Sequence, residues 1–323
     1  MNATVVRAGF LTSVQDLGRL GFRQFGVSVG GALDSHALSV ANLLVGNDEI
    51  AAGVEITFGG LQLRFTDERI VAWCGGEFDV RVGSTSLPAG HAARVGGNEE
   101  LVFKQPKAGC RCWLAISGGI DVPIVLGSRS TDLRANFGGL DGRALRNGDV
   151  LPLAKRPESP TPATTGISSW SAPHDWVSPA KHDPILRFIR GVDWNRFNDV
   201  AIQRFTNHGF TVSQDSDRMG VRLEGIELKR NHDIDLISEA VVPGTIQVPP
   251  GGKPIVLLGD CQTIGGYPKI AHVITVDLSI AAQLRGGDEV RFREVTHADA
   301  HHLLINREQN LEQFRRGLQP HFS

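Results

Sequence analysis

Apolar residues in this chain come in runs of four or five, and glycine closes several of them. Ile70-Val-Ala-Trp73 precedes Gly75-Gly76, Trp113-Leu-Ala-Ile116 precedes Gly118-Gly119, and Pro254-Ile-Val-Leu-Leu258 precedes Gly259. Runs of this length, bounded by such turn signals, fit buried strands and fall short of a typical helix. Leu61-Gln-Leu-Arg-Phe65 and Phe78-Asp-Val-Arg-Val82 alternate apolar and polar residues, Ile185-Leu-Arg-Phe-Ile189 does so in part, and Val273-Ile-Thr-Val276 is another short apolar run. Further Gly clusters stand at Gly96-Gly97, Gly138-Gly139, Asp141-Gly142 and Gly251-Gly252. With 38 glycines and no low-complexity repeat, the pattern predicts a mainly β chain with few helices, turned by tight loops and bulges.

Two helices are expected. The first runs from Asp34, a capping residue, to a stop at Gly46-Asn47, with Ala37, Val40, Ala41 and Leu44 on one face. The second lies in the tail between His297 and Arg316. Its His297, His301 and His302 match no ligand pattern, so the tail reads as a solvated amphipathic helix with no metal site.

At 323 residues the chain is long enough for about two domains. Seven of its 16 prolines fall between Pro152 and Pro184 among Ser and Thr, a composition that favours a linker. The expected division is 1–153, a linker at 154–183, 184–296, and a tail at 297–323. The endings Leu145-Arg-Asn-Gly-Asp-Val150 and Leu284-Arg-Gly-Gly-Asp288, with Val290 after it, suggest related architecture in the two halves.

The charge balance excludes several function classes. Lys+Arg 33 against Asp+Glu 35 leaves no basic excess for nucleic acid. No run of about 18 apolar residues would span a bilayer, and the N-terminal residues have no signal-peptide core. A cytoplasmic location is expected. Cys74, Cys110, Cys112 and Cys261 fit no common zinc spacing and are expected to be buried thiols. The chain has no Gly-x-x-x-x-Gly-Lys-Ser/Thr loop, no dinucleotide fingerprint and no nucleophile elbow. Met219 is not followed by Lys, so no Met-Lys-Met biotin site exists. ATP or biotin would have to be brought by another chain.

Three stretches are denser in Gly and polar residues than a plain β fold requires. They are Thr12–Asp34, Ser213–Gly220, and Gly244–Pro250 with Gly259–Lys269. Arg19 and Arg218 are able to grip a carboxylate by paired bonds, Asp260 and Lys269 offer an acid/base pair, and Gln247 and Gln262 offer neutral donors to an amide oxygen. Each has a structural alternative: Asp16 as a turn cap, Arg218 as a partner of Asp217, Gly265-Gly266 as a hairpin loop. The expected catalytic residues are Lys269, Gln247 and Asp260. The expected substrate-binding residues are Asp16, Arg19, Asp34, Arg218, Tyr267 (the only tyrosine) and Gln262. The site is expected in a cleft between the third stretch's two parts, closed by the loop Gln15–Arg19.

Six ordered phrases carry a resemblance: Ser13-Val-Gln-Asp-Leu-Gly-Arg19, Ala41-Asn-Leu-Leu-Val-Gly-Asn47, Gly127-Ser-Arg-Ser-Thr131, Ser216-Asp-Arg-Met-Gly220, Gly244-Thr-Ile-Gln-Val-Pro-Pro250 and Gly265-Gly-Tyr-Pro-Lys269. In them the chain resembles the carboxyltransferase-like family that includes the C subunit of 5-oxoprolinase, the KipI antagonist KipA and allophanate hydrolase subunit 2. The resemblance runs from about Val5 to Phe292 and implies two tandem cyclophilin-like β-barrel domains. It further implies a component of an ATP-dependent 5-oxoprolinase, working with KipI-like and LamB/YcsF-like subunits on a small lactam or amide, with ATP bound by those subunits or shared with them in a composite site. Two alternatives follow from it as well: a component of a biotin-dependent urea- or allophanate-type carboxylase, or a non-catalytic KipI-binding regulator. The chain departs from the family pattern at Ser28, Cys261 and Ile264, where Pro, Arg and Thr are usual.

Overall fold

The computed structural model describes residues 1–155, 166–177, 183–231 and 236–322. The chain forms two compact units: Met1–Arg19, Gly30–Ala180 and Asn310–Ser323 make unit 1, and Leu20–Val29 with Lys181–Gln309 make unit 2. The chain is mainly β with few helices.

Unit 1 holds two six-stranded antiparallel sheets. One is ordered Val150–Pro152, Asn2–Ala8, Leu61–Phe65, Glu100–Phe103, Val80–Val82, Thr85–Ser86. The other is ordered Ile167–Ser171, His91–Val95, Arg69–Glu77, Ala108–Ile116, Gly53–Thr57, Leu11–Gln15. Alternation places Leu61, Leu63 and Phe65 of the first sheet in one core with Val71, Trp73, Leu114 and Ile116 of the second. Each such fully buried large apolar side chain contributes about 1.5–3 kcal/mol.

The helix Ser35–Leu44 begins where Asp34 Oδ1 accepts the Ala37 N–H at 3.0 Å and ends before Gly46, whose φ of 76° is left-handed. It packs on the strands Arg69–Glu77 and Ala108–Ile116, and every residue from Ala37 to Leu44 is buried.

Unit 2 is a closed seven-stranded barrel, ordered Ile185–Arg190, Lys269–Val273, Thr245–Gln247, Ile255–Leu257, Gly220–Glu224, Phe210–Val212, Glu289–Glu294. Closure comes from parallel pairing of the last strand with the first; the other pairings around the barrel are antiparallel. Phe188, Phe205, Phe210 and Phe292 fill it, with Phe205 and Phe292 stacked at 4.6 Å. Phe205 lies on the helix Asp199–Asn207, which starts with the Asn198 side chain accepting the Ala201 N–H at 2.8 Å. The sequence reading did not include this helix.

Three expectations differ from the structure. The expected linker lies partly outside the described residues, at 156–165 and 178–182. Residues 166–177, however, form the edge strand Ile167–Ser171 and the short helix His174–Val177, because Ala172 and Val177 are apolar enough to be buried. The run Val273–Val276 is not one strand: the strand stops at Val273 and Thr275–Asp277 is a 3-10 turn, held by the Asp277 carboxylate, which accepts the backbone N–H and guanidinium of Arg187. The tail helix His297–Leu318 is not wholly solvated. Leu311 and Leu318 are buried, Phe314 packs edge-on to Trp176, and the His321 ring stacks on Trp170 at 4.3 Å.

Candidate active site

Two strands of the unit 2 barrel set the site. Gln247 and Lys269 are direct partners across the antiparallel pair Thr245–Gln247 and Lys269–Val273, so their side chains share one face. Both are buried. Gln247 Nε2 donates to the Tyr267 carbonyl at 3.3 Å, and its Oε1 accepts from Gln262 Nε2 at 3.3 Å. Gly265 lies close beside them: a Cβ there would sit 2.6 Å from Gln247 Nε2 and would push that amide aside.

Lys269 is 3% exposed and has two carboxylates near its ammonium. Glu239 Oε2 is 3.0 Å from Nζ and Asp193 Oδ2 is 3.7 Å from it. Asp193 Oδ2 also accepts the Lys269 N–H at 2.9 Å, and its Oδ1 takes Arg196 Nε at 2.7 Å. The loop bearing Asp193 approaches this closely because Gly191 precedes it: a Cβ there would fall 2.2 Å from the Lys269 carbonyl oxygen. Glu239 stands on the ribbon Glu239–Ala240, which pairs with Ile264–Gly265.

The loop carrying Gln262 is braced from below. Arg218 Nε and Nη2 donate to Asp260 Oδ2 and Oδ1 at 2.8 and 3.0 Å, a bidentate pair that is nearly buried. Arg218 therefore pairs with Asp260, not with its neighbour Asp217, whose Oδ1 accepts the N–H groups of Met219 and Gly220. Next to Asp260, Cys261 is buried with Val241 and Leu257. Burial pushes its thiol up to about 11, against the opposing pull of the Arg23 guanidinium. A cation therefore stands beside this thiol, supplied by Arg23 from the segment Leu20–Val29. Arg23 Nη2 also donates to the Val241 carbonyl and reaches that of Thr263 at 3.5 Å. Along the same strand, His272 Nδ1 lies 3.2 Å from Thr245 Oγ1. Burial first, then the charges of Lys269 and His297, hold its imidazolium below the ordinary range. Among the described residues no group of three or more His, Cys, Asp or Glu could hold a metal ion.

Of the residues singled out in the sequence, Lys269, Gln247, Gln262, Asp260, Arg218 and Tyr267 lie in unit 2. Tyr267 is 46% exposed and contributes its carbonyl to Gln247. Asp16, Arg19 and Asp34 lie in unit 1, and each is engaged there. Asp16 Oδ1 accepts from Ser128 Oγ at 2.6 Å, Ser130 Oγ at 2.5 Å and Gly18 N at 2.8 Å, while Oδ2 accepts from Arg129 N at 2.5 Å. The Arg19 side chain, 0% exposed, donates to the Ser130 carbonyl and lies over the Phe137 ring. Asp34 caps its helix. These contacts hold all three within unit 1. Sequence reasoning missed Asp193, Glu239 and Arg23; the nearest signal was Gly191, the kind of residue a tight approach demands.

The family described as "Carboxyltransferase domain, subdomain A and B" matches residues 25–294. The chain is 40% identical to the C subunit of 5-oxoprolinase from Escherichia coli (strain K12) over 296 residues, 92% of either chain. It is 34% identical to the protein of the same name from Haemophilus influenzae, over 94% of each. Among solved structures it resembles the Kluyveromyces lactis urea carboxylase with a TM-score of 0.89 and 29% identity, across 97% of this chain and 29% of that one.

Proposed function

The chain belongs to the carboxyltransferase domain, subdomain A and B family, and from that premise we propose that it is the C subunit of an ATP-dependent 5-oxoprolinase that hydrolyses 5-oxoproline (pyroglutamate) to L-glutamate. The observation that carries this reading is the match to the bacterial proteins of that name, which covers 92% of both chains in one case and 94% in the other. Those relatives are named as one component of an enzyme, and the hydrolytic activity is assigned to the complex. The partners are KipI-like and LamB/YcsF-like subunits.

The geometry supports a site for an amide or lactam. A lactam carbonyl is a poor electrophile, and donors aimed at its oxygen are the usual remedy. Lys269 Nζ and the Gln247 amide, on one face of neighbouring strands, are the donors we assign to that oxygen. Gln262 orients Gln247, and Tyr267 stands at the exposed rim. Asp260, expected to position a water, has both oxygens held by Arg218 and instead fixes the loop bearing Gln262.

The cations here are matched by carboxylates, Lys269 by Glu239 and Asp193, Arg218 by Asp260. That arrangement does not fit a triphosphate, so we place ATP with the partner subunits. Biotin is likewise not attached to this chain in our reading.

Reconstitution tests the proposal. The purified chain should turn over no 5-oxoproline, and adding both partner subunits with ATP and magnesium should release glutamate and phosphate together. Turnover by the chain alone, or none by the assembled complex, would reject it. The likeness to urea carboxylase favours a second reading, transfer of a carboxylate from a biotin carrier to urea or a related amide. Transfer of labelled carboxylate from a carboxylated carrier to urea would select that reading. Assembly with the KipI-like partner without either activity would select the regulator.

A further inference from the structure

We propose that Glu239 is a displaceable internal ligand of Lys269, and that the place its carboxylate occupies is where an anionic oxygen of the substrate binds. The inference rests on the reading of Lys269 as the substrate-facing donor. It adds a residue, Glu239, and a ligand class.

A buried ammonium requires a counter-charge, because burying it alone costs far more than a fold can bear. The two carboxylates that supply it are held very differently. Asp193, 6% exposed, is fixed by the Lys269 N–H and by Arg196. Glu239 makes the shorter contact, 3.0 Å, yet its side chain is 62% exposed. It sits on a two-residue strand of exposed residues. An ion pair with so exposed a partner is worth little, and its release returns the carboxylate to water at small cost.

The ribbon itself need not move. Its far end is fastened where Val241 N donates to the Thr263 carbonyl at 3.1 Å and Arg23 donates to the Val241 carbonyl. Rotation of the Glu239 side chain breaks its ion pair with Lys269 and frees that face of the ammonium for another acceptor. What replaces it follows from charge. In the ground state a neutral amide oxygen competes poorly with a carboxylate for an ammonium, whereas another carboxylate, or the same amide oxygen once it gains charge, competes well. Gln247 and Gln262 beside the vacated position suit the amide of the same molecule. The anionic oxygen has two sources, the carboxylate of a small acid or a carbonyl oxygen that gains charge during reaction.

Glu239→Gln in the reconstituted complex separates them. If the substrate carboxylate takes the position, KM for 5-oxoproline should fall about three- to tenfold. If the charge develops during reaction, kcat should rise with KM unchanged. Glu239→Asp should restore wild-type values in part. A complex that assembles normally but shows both constants unchanged, or a raised KM with a lowered kcat, would overturn the proposal. Should the wild-type complex not hydrolyse 5-oxoproline, the functional reading fails on its own, and the inference is decided on the full-length chain. There, reductive methylation of Lys269, followed by mass spectrometry, should be faster in Glu239→Gln than in wild type, and sodium acetate should slow it. Equal labelling in both proteins would overturn it.

Discussion

Asp16 in unit 1 and Lys269 in unit 2 are both buried charges in glycine-rich stretches, yet their surroundings differ in kind. Asp16 is held within its own unit: hydroxyls and backbone N–H groups there donate to both of its oxygens. Among the described residues, the Lys269 ammonium is paired with the buried Asp193 and with Glu239, a residue largely in water. A buried charge whose partners are backbone and short hydroxyls builds structure. One whose partner is an exposed carboxylate can exchange that partner, and exchange is what binding a substrate requires.

The comparison breaks most directly through Asp16→Ala. Removing an acceptor for four donors should destabilise the protein by about 3–5 kcal/mol, read from urea unfolding. Loss of turnover with no loss of stability would place Asp16 in the chemistry and end the contrast. Next in size are Lys269→Ala and Gln247→Ala. Each should lower turnover of the reconstituted complex about 10²–10³-fold with assembly intact. Activity within a few-fold of wild type would make these two as structural as Asp16.

A smaller effect is expected at Gly265→Ala, where the new Cβ displaces the Gln247 amide. Turnover should fall roughly tenfold to a hundredfold, with little change in stability. The smallest concerns His272. Its pKa is lower in the folded than in the unfolded protein, so the unfolded chain binds more protons as pH falls through the ordinary value of 6.5. Stability should therefore decline below about that pH with a slope of at most one proton, and His272→Gln should remove that slope in urea titrations at several pH values.

What was legible in the sequence was local. Leu61–Phe65 alternates at the strand period, and Asp34 and Gly46 mark their helix through chemistry within a few residues. Lys269 and Gln247 stood out because glycine surrounds them. The mainly β character followed from short runs and turns, but the apolar run Val273–Val276 misled, since its end is set by Asp277 gripping Arg187, 90 positions away. The partners that define the site were hidden for the same reason. Asp193 is 76 positions from Lys269, Glu239 is 30, and Arg23 is 218 from Val241. No motif spacing records such contacts. That Arg218 holds both oxygens of Asp260 was hidden as well, because the two lie 42 positions apart.

The parallel seam that closes the unit 2 barrel also orders events during synthesis. The strand Ile185–Arg190 emerges first, but its two neighbours, Lys269–Val273 and Glu289–Glu294, emerge near the end of the unit. Until they arrive, both of its edges carry unpaired backbone groups, the condition under which strands pair with the wrong chain. The barrel cannot close on the ribosome until Glu294 has cleared the exit tunnel. A chain truncated before Glu289 should therefore fail as a whole barrel rather than lose one strand, and the nascent protein is most in need of a chaperone in the interval between its first barrel strand and its last.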